Sequence, residues 1–312
     1  MIYMDNSATT APLPEVACAV SRAMSDAWAN PSSTHAAGLA ARTLLEESRR
    51  QVSLAMGVRR ETEGRIFFTS SGTEADNLAI IGSVHAKNRP VKNGSRGKIL
   101  STDSEHPAVD MALARLEADG FTVCRIPTRG GVLDLDVLAE NAEGAILATL
   151  MLVNNESGAL YDVKRAFSLI RAVSPDCVTH VDAVQGLGKV KFSPSSLGAD
   201  MISVSAHKIG GLKGAGALYV SADILKKKQL IPTMPGGGQE SGMRSGSENM
   251  PGIAGFGEAA RLARERFDEN LTAVTEVRQA ILAGLRDAVP DARLNEPAVH
   301  IPHILSLTVP GV

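Results

Sequence analysis

One lysine of the chain lies between a run of strand-forming residues and a series of glycines, where its amine could face a ligand. Lys208 follows Ser205 and His207 in the segment "SVSAHKIGGLKGAGALYV" (203–220). Taken alone, it could be a phosphate-binding charge, a solvated surface residue or a nucleophilic amine. The glycines come before a strand and not before a helix, so they are not a dinucleotide-binding fingerprint. The other polar segments of the chain have to separate these three roles.

A phosphate-binding turn is one interpretation of the segment "FFTSSGTEADN" (67–77). A strand-like run leads into a helical pattern, and Ser71 and Glu74 have the spacing of a capping box. Backbone N–H groups and the helix dipole at such a position favour a phosphate, to which the Thr73 hydroxyl could add a hydrogen bond. An ordinary capped helix is an equally good interpretation, and no G-K-[ST] sequence follows, which excludes a Walker motif.

Three further polar groups follow or end predicted strands. His106 lies before a proline that can begin a helix, and its imidazole could stack on a ring, transfer protons or be satisfied by loop hydrogen bonds. Asp182 lies within a strand pattern, where a buried carboxylate requires a protonated ring nitrogen, an arginine or a helix terminus as its partner. Asn155 follows the most apolar strand, where polar side chains mark either a turn or a polar site.

Each of these motifs is ambiguous alone, but together they provide a phosphate cradle, a ring-stacking histidine, a carboxylate for a ring nitrogen and a lysine. A lysine that forms a Schiff base and an acidic partner for a pyridinium nitrogen are what pyridoxal phosphate (PLP) requires of a protein. The combination favours PLP as cofactor and the nucleophilic role for Lys208. A long polar loop at 235–252, which contains Arg244 and Ser247, predicts a binding or interface loop.

A mainly parallel sheet is predicted to position these groups. Short apolar runs alternate with helical patterns, which is typical of an α/β fold with helices on both faces of the sheet. Ligands bind such sheets at the carboxyl ends of the strands, where the polar clusters fall. The strand patterns are "RIFFTS" (65–70), "KILSTD" (98–103), "FTVCRIP" (121–127), "GAILATLMLV" (144–153), "VTHVDAV" (178–184), "DMISVSA" (200–206) and "GALYVS" (216–221).

Composition argues against several other classes of protein. The 312 residues are 44% hydrophobic and 21% charged with a net charge of −2, so a globular protein is expected, with no nucleic-acid or membrane partner. The basic segments 87–98 and 226–228 are interpreted as a solvated loop and a helix end. No apolar run is long enough to span a membrane, and the N-terminus lacks the basic and apolar regions of a signal peptide, so none is expected and a cytoplasmic location is predicted. Three widely spaced cysteines predict neither a disulfide framework nor a zinc site, and no metal is expected.

The pattern changes after Gly257, which predicts a boundary between two domains. Apolar residues at helical spacing predict a long helix that leads out of the sheet domain. We expect a large domain at 14–257 and a smaller α+β domain made of 1–13 and 258–312. The final apolar run, "ILSLTVPGV", is expected to be a strand without a partner, so the smaller domain is expected to be incomplete.

The motifs in this order closely resemble the cysteine desulfurase family of class-V aminotransferase-like PLP enzymes. That resemblance implies fold type I, with a mainly parallel seven-stranded sheet in the large domain. The matching stretches are "YMDNSATT", "NPSSTHAAG", "TSSGTEADN", "SEHPAV", "NNESG", "VDAVQ", "SAHKIGG", "KGAGALYV" and "GGGQESGMRSGSEN".

The resemblance also implies a role for each matching residue. Lys208 would bind PLP covalently and move protons at the substrate α-carbon, Asp182 would pair with the pyridine nitrogen, and His106 would stack on the ring and take part in proton transfer. Ser247 would contact the phosphate bound by the partner subunit of a homodimer. The other implied cofactor contacts are Gly72, Thr73, Asn155, Gln185, Ser205 and His207, and the implied substrate contacts are Asn6, Ala8 and Asn155.

The implied activity converts L-cysteine to L-alanine and transfers the sulfur to a protein thiol as a persulfide. A sulfur-acceptor protein, such as an iron–sulfur scaffold, would take it for iron–sulfur cluster or thio-cofactor synthesis. The resemblance implies a nucleophilic cysteine and a carboxylate-binding arginine in the C-terminal small domain, and both are expected beyond residue 312. Cys18, Cys124 and Cys177 are expected to be buried and unreactive. A selenocysteine lyase, a related class-V aminotransferase and a non-catalytic PLP-binding subunit are the alternatives.

Overall fold

The computed structural model describes residues 2–87 and 94–311. Half of the basic segment 87–98, which is predicted to be a solvated loop, lies outside these residues, and its last residue, Lys98, begins a strand. The α-helices of the described residues are α1 (Pro14–Asp26), α2 (Ala36–Ala55), α3 (Gly72–Ala86), α4 (Pro107–Ala118), α5 (Leu135–Asn141), α6 (Val163–Val173), α7 (Pro194–Leu197), α8 (Ala222–Lys226), α9 (Met250–Glu265) and α10 (Phe267–Ala288). The strands are β1 (Gly64–Thr69), β2 (Lys98–Thr102), β3 (Thr122–Ile126), β4 (Thr128–Arg129), β5 (Val132–Leu133), β6 (Ala145–Met151), β7 (Val178–Asp182), β8 (Met201–Ser205), β9 (Gly216–Ser221), β10 (Arg293–Leu294) and β11 (Leu307–Thr308).

Seven strands of the described part of the chain form one sheet in the order β1-β9-β8-β7-β6-β2-β3. Strands β8, β7, β6, β2 and β3 are parallel, whereas β9 is antiparallel to both β8 and β1. Strand β1 therefore runs with the parallel set, and only β9 runs against it. Every residue of β6, β7 and β8 is buried, because helices cover both faces. The mainly parallel seven-stranded sheet is confirmed, and the carboxyl ends of six strands meet at one edge.

The two faces of the sheet carry separate hydrophobic clusters. Adjacent residues of a strand point to opposite faces, as Phe67 and Phe68 of β1 do. Phe67 packs with α3 and α4, in a cluster that includes Leu78 and Leu113. Phe68 packs with α2 and α9, and its ring meets that of Phe256 edge to face at a centroid distance of 6.4 Å. The sheet is thus fixed between two helical layers, which holds the loops at its carboxyl edge in place.

The prediction of one long helix after Gly257 is wrong in its start and in its continuity. Helix α9 already begins at Met250 and packs against α1 and α2, and α10 begins at Phe267. The break falls at Arg266, which has φ −99° and ψ 16°. Helix α9 has eleven buried residues, whereas Arg278 is the one buried residue among those of α10, so the second helix leaves the core. The domain boundary at residue 257 stays a prediction.

The final apolar run does have a partner, which corrects the expectation of an unpaired strand. Its strand is only Leu307–Thr308, and it pairs antiparallel with Arg293–Leu294. A two-residue strand that contains an arginine has no periodic pattern, so the sequence did not reveal it. Among the helices of residues 2–87 and 94–311, none combines the length and apolar content needed to cross a membrane.

Candidate active site

The candidate site lies at the carboxyl edge of the sheet, between the ends of neighbouring strands. Asp182 is the last residue of β7 and Ser205 the last residue of β8, and Asp182 pairs in register with Ser203. Lys208 ends the short 3₁₀ helix Ala206–Lys208 that follows β8. The fold therefore brings the predicted lysine and carboxylate to the same edge.

Lys208 is half-buried and its amine faces the N-terminal segment. Its Nζ donates hydrogen bonds to the carbonyl oxygens of Ser7 at 2.5 Å and Ala8 at 2.8 Å. Burial lowers the pKa of Lys208, whereas the charges of Asp182, Asp5 and Glu156 oppose that shift. A lowered pKa increases the fraction of neutral amine, which is the nucleophilic form.

Asp182 is buried, and its carboxylate accepts a hydrogen bond from the backbone N–H of Val184 at 2.9 Å. Burial raises the pKa of Asp182, while that hydrogen bond and the charges of His106 and Lys208 lower it. The net effect is a raised pKa, and a further cation close to the carboxyl group would favour its ionised form.

The N-terminus of α3 approaches the ends of β7 and β8. A Cβ atom at Gly72 would lie 2.6 Å from Cγ2 of Val184 and 3.6 Å from Cβ of Ser205, so glycine permits the close approach. Ser205 Oγ is buried and has no hydrogen-bond partner among the described residues. An unpartnered buried hydroxyl beside the start of a helix fits an anionic ligand.

The predicted capping box of α3 is present in an altered form. Ser71 Oγ accepts a hydrogen bond from the N–H of Glu74 at 3.1 Å. The Glu74 carboxylate reaches back to the N–H of Ser70 at 2.8 Å and not to that of Ser71. Glu74 also pairs with Arg244, at 2.8 Å, from the polar loop at 235–252. That ion pair joins the loop to the start of α3.

Gln185 and His207 attach the N-terminal segment to the same cluster. Gln185 is buried, and its Nε2 donates to the Ser7 carbonyl oxygen at 2.7 Å. His207 Nδ1 lies 3.2 Å from Thr9 Oγ1. Burial, reinforced by nearby lysines, lowers the pKa of His207 to about 4, so its imidazole is neutral at pH 7. The segment around Ser7 therefore closes one side of the site.

The two polar residues in loops differ in what they contact. His106 is exposed at the N-cap of α4, where its Nδ1 accepts from the N–H of Ala108 at 3.1 Å, and Pro107 begins the helix as predicted. Asn155 is half-buried and donates from Nδ2 to Glu156 at 2.6 Å. Its neighbour Asn154 is the residue that builds the turn, since Oδ1 accepts from the N–H groups of Glu156 and Ser157.

The remaining predicted residues lie at the surface. Thr73, Asn6 and Ala8 are exposed, the first at the start of α3 and the others in the N-terminal turn. Ser247 is also exposed and lines two cavities, of about 360 and 130 Å³. The larger cavity is bordered by Trp28, and the smaller one reaches the end of β1.

Sequence reasoning missed several residues of this region. Ser7 acts through its backbone carbonyl, which gives no signal in a sequence. Lys189 donates from Nζ to Gln185 Oε1 at 2.6 Å, and its position four residues after Gln185 was the available signal. Asp76 and His180 are fully buried beneath the site, 3.7 Å apart between Oδ1 and Nε2, and polar residues within buried helix and strand patterns were their signal.

The expectation that all three cysteines are buried is wrong for Cys18, which is exposed on α1. The Cys18 prediction failed because the amphipathic helix turns this residue away from α9, against which it packs. Cys124 is half-buried on the edge strand β3, and burial raises its pKa. Cys177 is buried, which raises its pKa to about 12. Neither of the latter thiols has the lowered pKa of a reactive thiolate.

Comparisons with known proteins agree with the fold. A family model described as Aminotransferase class-V matches residues 2–312. A protein of Trichormus azollae named cysteine desulfurase is 37% identical over 297 residues, which cover 95% of this chain and 70% of that protein. The solved structure described as "NIFS-LIKE PROTEIN" has a TM-score of 0.91 at 32% identity, covering 100% of this chain and 82% of that chain. Another, described as "SspA in complex with cysteine", has a TM-score of 0.74 at 30% identity, covering 83% and 72%.

These matches and the sheet topology confirm the predicted α/β fold of type I. The family model spans nearly the whole chain, and the solved structure of the NifS-like protein shares its fold. The chain belongs to the class-V aminotransferase family.

Proposed function

We propose that this protein is a PLP-dependent cysteine desulfurase, which converts L-cysteine to L-alanine and transfers the sulfur to a protein thiol. The observation that carries the proposal is the half-buried amine of Lys208 beside the buried carboxyl group of Asp182, at the carboxyl edge of a class-V aminotransferase sheet. Relatives named cysteine desulfurase, and a neighbour described in complex with cysteine, support this choice of substrate.

The residues of the site fit PLP. Ser205 Oγ is a buried hydroxyl without a partner in the described residues, and Gly72 lets the start of α3 approach it closely, so that a phosphate could bind between them. Asp182 would hold the ring nitrogen, because its carboxylate needs a close cation to remain ionised when buried. Lys208 would bind the cofactor covalently. Further contacts would come from Thr73, His106, Asn155, Gln185 and His207.

PLP, when bound, supplies the electron sink for the substrate α-carbon. The amine of Lys208 removes and returns the proton at that carbon, and its lowered pKa favours the neutral form that can act as a base. Asp182 would hold the ring nitrogen and stabilise positive charge there. His106 would lie against the ring and take part in proton transfer, while Asn6, Ala8 and Asn155 would orient the amino acid.

The sulfur step needs a thiolate. The thiolate attacks the sulfur of cysteine, so that the S–S bond of a persulfide forms while the C–S bond breaks, and the carbon skeleton takes up a proton to leave as alanine. Burial raises the pKa of Cys124 and Cys177, so these thiols are protonated at neutral pH. We assign the nucleophile to neither of them, and a Cys18→Ser variant would test the exposed thiol.

A homodimer and a separate sulfur acceptor complete the proposal. Ser247 is exposed beside Trp28 and Met24, whose side chains have exposed fractions of 74% and 57%. Large apolar side chains this accessible favour a protein interface. Sedimentation equilibrium of the wild type and of Trp28→Glu tests it: a dimer that the variant weakens supports the interface, and a monomeric wild type contradicts it. An iron–sulfur scaffold is the proposed class of acceptor, which a sulfur-transfer assay with labelled cysteine would identify.

Borohydride reduction followed by peptide mass spectrometry tests the cofactor site. We expect the wild type to gain visible absorbance with PLP, and reduction to fix the cofactor on Lys208. Lys208→Ala should lose both signals, and Lys213→Ala, an exposed lysine of the same loop, should keep them. Attachment at another lysine would contradict the assignment.

Product analysis tests the reaction. Full-length wild-type protein, with its nucleophilic cysteine present, should form alanine and sulfide from L-cysteine in equal amounts when a thiol reductant is supplied. Alanine from selenocysteine alone would indicate a lyase, transfer of the amino group to a keto acid would indicate an aminotransferase, and bound cofactor without turnover would indicate a non-catalytic subunit. Each of these three results would overturn the proposed activity.

A further inference from the structure

Lys189 is a second lysine close to the site, and its ammonium contacts the side chain of Gln185. Its Nζ donates to Gln185 Oε1 at 2.6 Å. From the other end of the amide, Gln185 Nε2 donates to the Ser7 carbonyl oxygen at 2.7 Å. That oxygen also accepts from Lys208 Nζ at 2.5 Å. The donor end of Gln185 and the amine of Lys208 therefore converge on one oxygen atom.

The chemistry of the two neighbours determines which way the Gln185 amide points. A lysine ammonium has only donors, so the amide must turn its oxygen toward Lys189. A backbone carbonyl has only acceptors, so the amide must turn its nitrogen toward Ser7. Both neighbours select the same orientation of the amide. The hydrogen-bond partners therefore identify which end is oxygen and which is nitrogen.

The surroundings of Lys189 make its burial costly. Burial and the charge of Lys208 lower the pKa of Lys189 to about 7. The other titratable groups that face it are His207 and His303, which are both neutral because burial lowers the pKa of each to about 4. Within the described residues, the pKa of Lys189 is affected by no carboxylate. Even a half-buried ammonium is costly without a carboxylate partner, so a role through Gln185 would explain its position.

We propose that Lys189 is a positioning residue that holds the Gln185 amide with its N–H end toward Lys208, so that Gln185 meets the cofactor as a hydrogen-bond donor. The inference rests on the proposed PLP site. With PLP attached to Lys208, the ionised ring oxygen of the cofactor would lie near that amine. The fixed N–H of Gln185 could then donate a hydrogen bond to this oxygen. A donor stabilises the ionised form of such an oxygen, whereas the oxygen end of the amide would destabilise it.

The test is a pH titration of the visible absorbance of the PLP-bound protein. Lys189→Met removes the donor that fixes Gln185, and we expect the midpoint to rise by about one unit because the ring oxygen loses its N–H partner. Lys189→Arg keeps a cationic donor and should keep the wild-type midpoint. A residue with only a structural role would change thermal stability or cofactor affinity and leave this midpoint unchanged.

A double-mutant cycle separates an effect through Gln185 from a direct effect of charge. If Lys189 acts through Gln185, then Lys189→Met should add no further shift in a Gln185→Met background. An equal shift in both backgrounds, or no shift in Lys189→Met, would overturn the proposal. If Lys189→Met fails to fold, Lys189→Gln should raise the titration midpoint by a smaller amount. An unchanged midpoint in Lys189→Gln, together with a shifted midpoint in Gln185→Met, would overturn the proposal. A wild type that gains no absorbance with PLP would instead contradict the cofactor site itself.

Discussion

Two buried carboxyl groups, Asp182 and Asp76, lie close together in this fold but in different electrostatic surroundings. Asp182 ends β7 at the open edge of the sheet, where His106 and Lys208 lower its pKa against the effect of burial. Asp76 lies in α3, which packs on the same strand, and its Oδ1 lies 3.7 Å from Nε2 of His180. Burial lowers the pKa of His180 to about 3, so that imidazole is neutral and offers no charge.

The difference teaches that burial alone does not make a carboxyl group functional. Burial, and then repulsion by Asp182, raises the pKa of Asp76 well above its ordinary value, which keeps it protonated. The groups around it form a sealed network in which His180 contacts Thr149 at 2.8 Å and Ser203 at 2.9 Å. Asp182 has cations within reach and opens toward the loops, so it can hold a charge opposite a ligand.

Removing the charge of Asp182 should have the largest effect. Asp182→Asn keeps the size of the side chain and loses the anion that would face the ring nitrogen, so kcat/KM for cysteine desulfuration should fall by about 100-fold or more. Steady-state alanine formation measures it, with the visible absorbance of bound PLP recorded in parallel. A variant within a few-fold of wild type would remove the distinction between the two carboxyl groups.

Replacement of Asp76, the protonated carboxyl group, should have the opposite effect. Asp76→Asn should bind PLP like the wild type and should be more stable than it at pH 8. The sign follows from linkage: a carboxyl group whose folded pKa is raised binds its proton more tightly when folded, so stability falls as pH rises above the unfolded value of 3.8. Urea unfolding at pH 5 and pH 8 measures the difference, which should favour the variant more at pH 8. Loss of PLP binding comparable to that in Asp182→Asn would contradict this contrast.

The sheet and the position of its polar strand ends could be predicted from the sequence. The contacts of the buried polar groups could not, for physical reasons that differ from residue to residue. Apolar strand runs and polar strand ends were enough for the sheet, for Asp182 and for Lys208, because each has a local signal. The carbonyl of Ser7 has none, since every residue carries a carbonyl group. Burial of Asp76 and His180 depends on which face of α3 and β7 meets the other, and that is a tertiary property. The short pairing of β10 with β11 likewise has no periodic pattern to reveal it.

Glu105 is a third buried carboxyl group, and its replacement should have the next largest effect, on the pH dependence of stability. Its Oε1 accepts from Thr102 Oγ1 at 2.7 Å and from the N–H of Met151 at 3.0 Å, while Oε2 is buried without a partner in the described residues. Burial raises its pKa to about 8, so wild-type stability should fall as pH rises from the unfolded value of 4.5 to about 8. Glu105→Gln does not titrate, and its unfolding free energy relative to wild type should rise across that window and then level off. A difference independent of pH would show that Glu105 is ionised in the fold.

The smallest effect should come from loosening the N-terminal segment, residues 5–13, which closes one side of the candidate site. Thr10 Oγ1 donates to the His207 carbonyl oxygen at 2.9 Å and accepts from the N–H of Gly210 at 2.7 Å. Thr10→Val keeps the shape of the side chain and loses both hydrogen bonds, at a cost of about 1–2 kcal/mol. Because the loss is local, amide hydrogen exchange should accelerate in peptides covering residues 5–13 and stay unchanged in β7, which carries His180 of the sealed network. Equal acceleration of exchange in both would mean that the N-terminal segment and the sheet open as one unit. The site around Asp182 and the buried groups around Asp76 would then not differ in their dynamics.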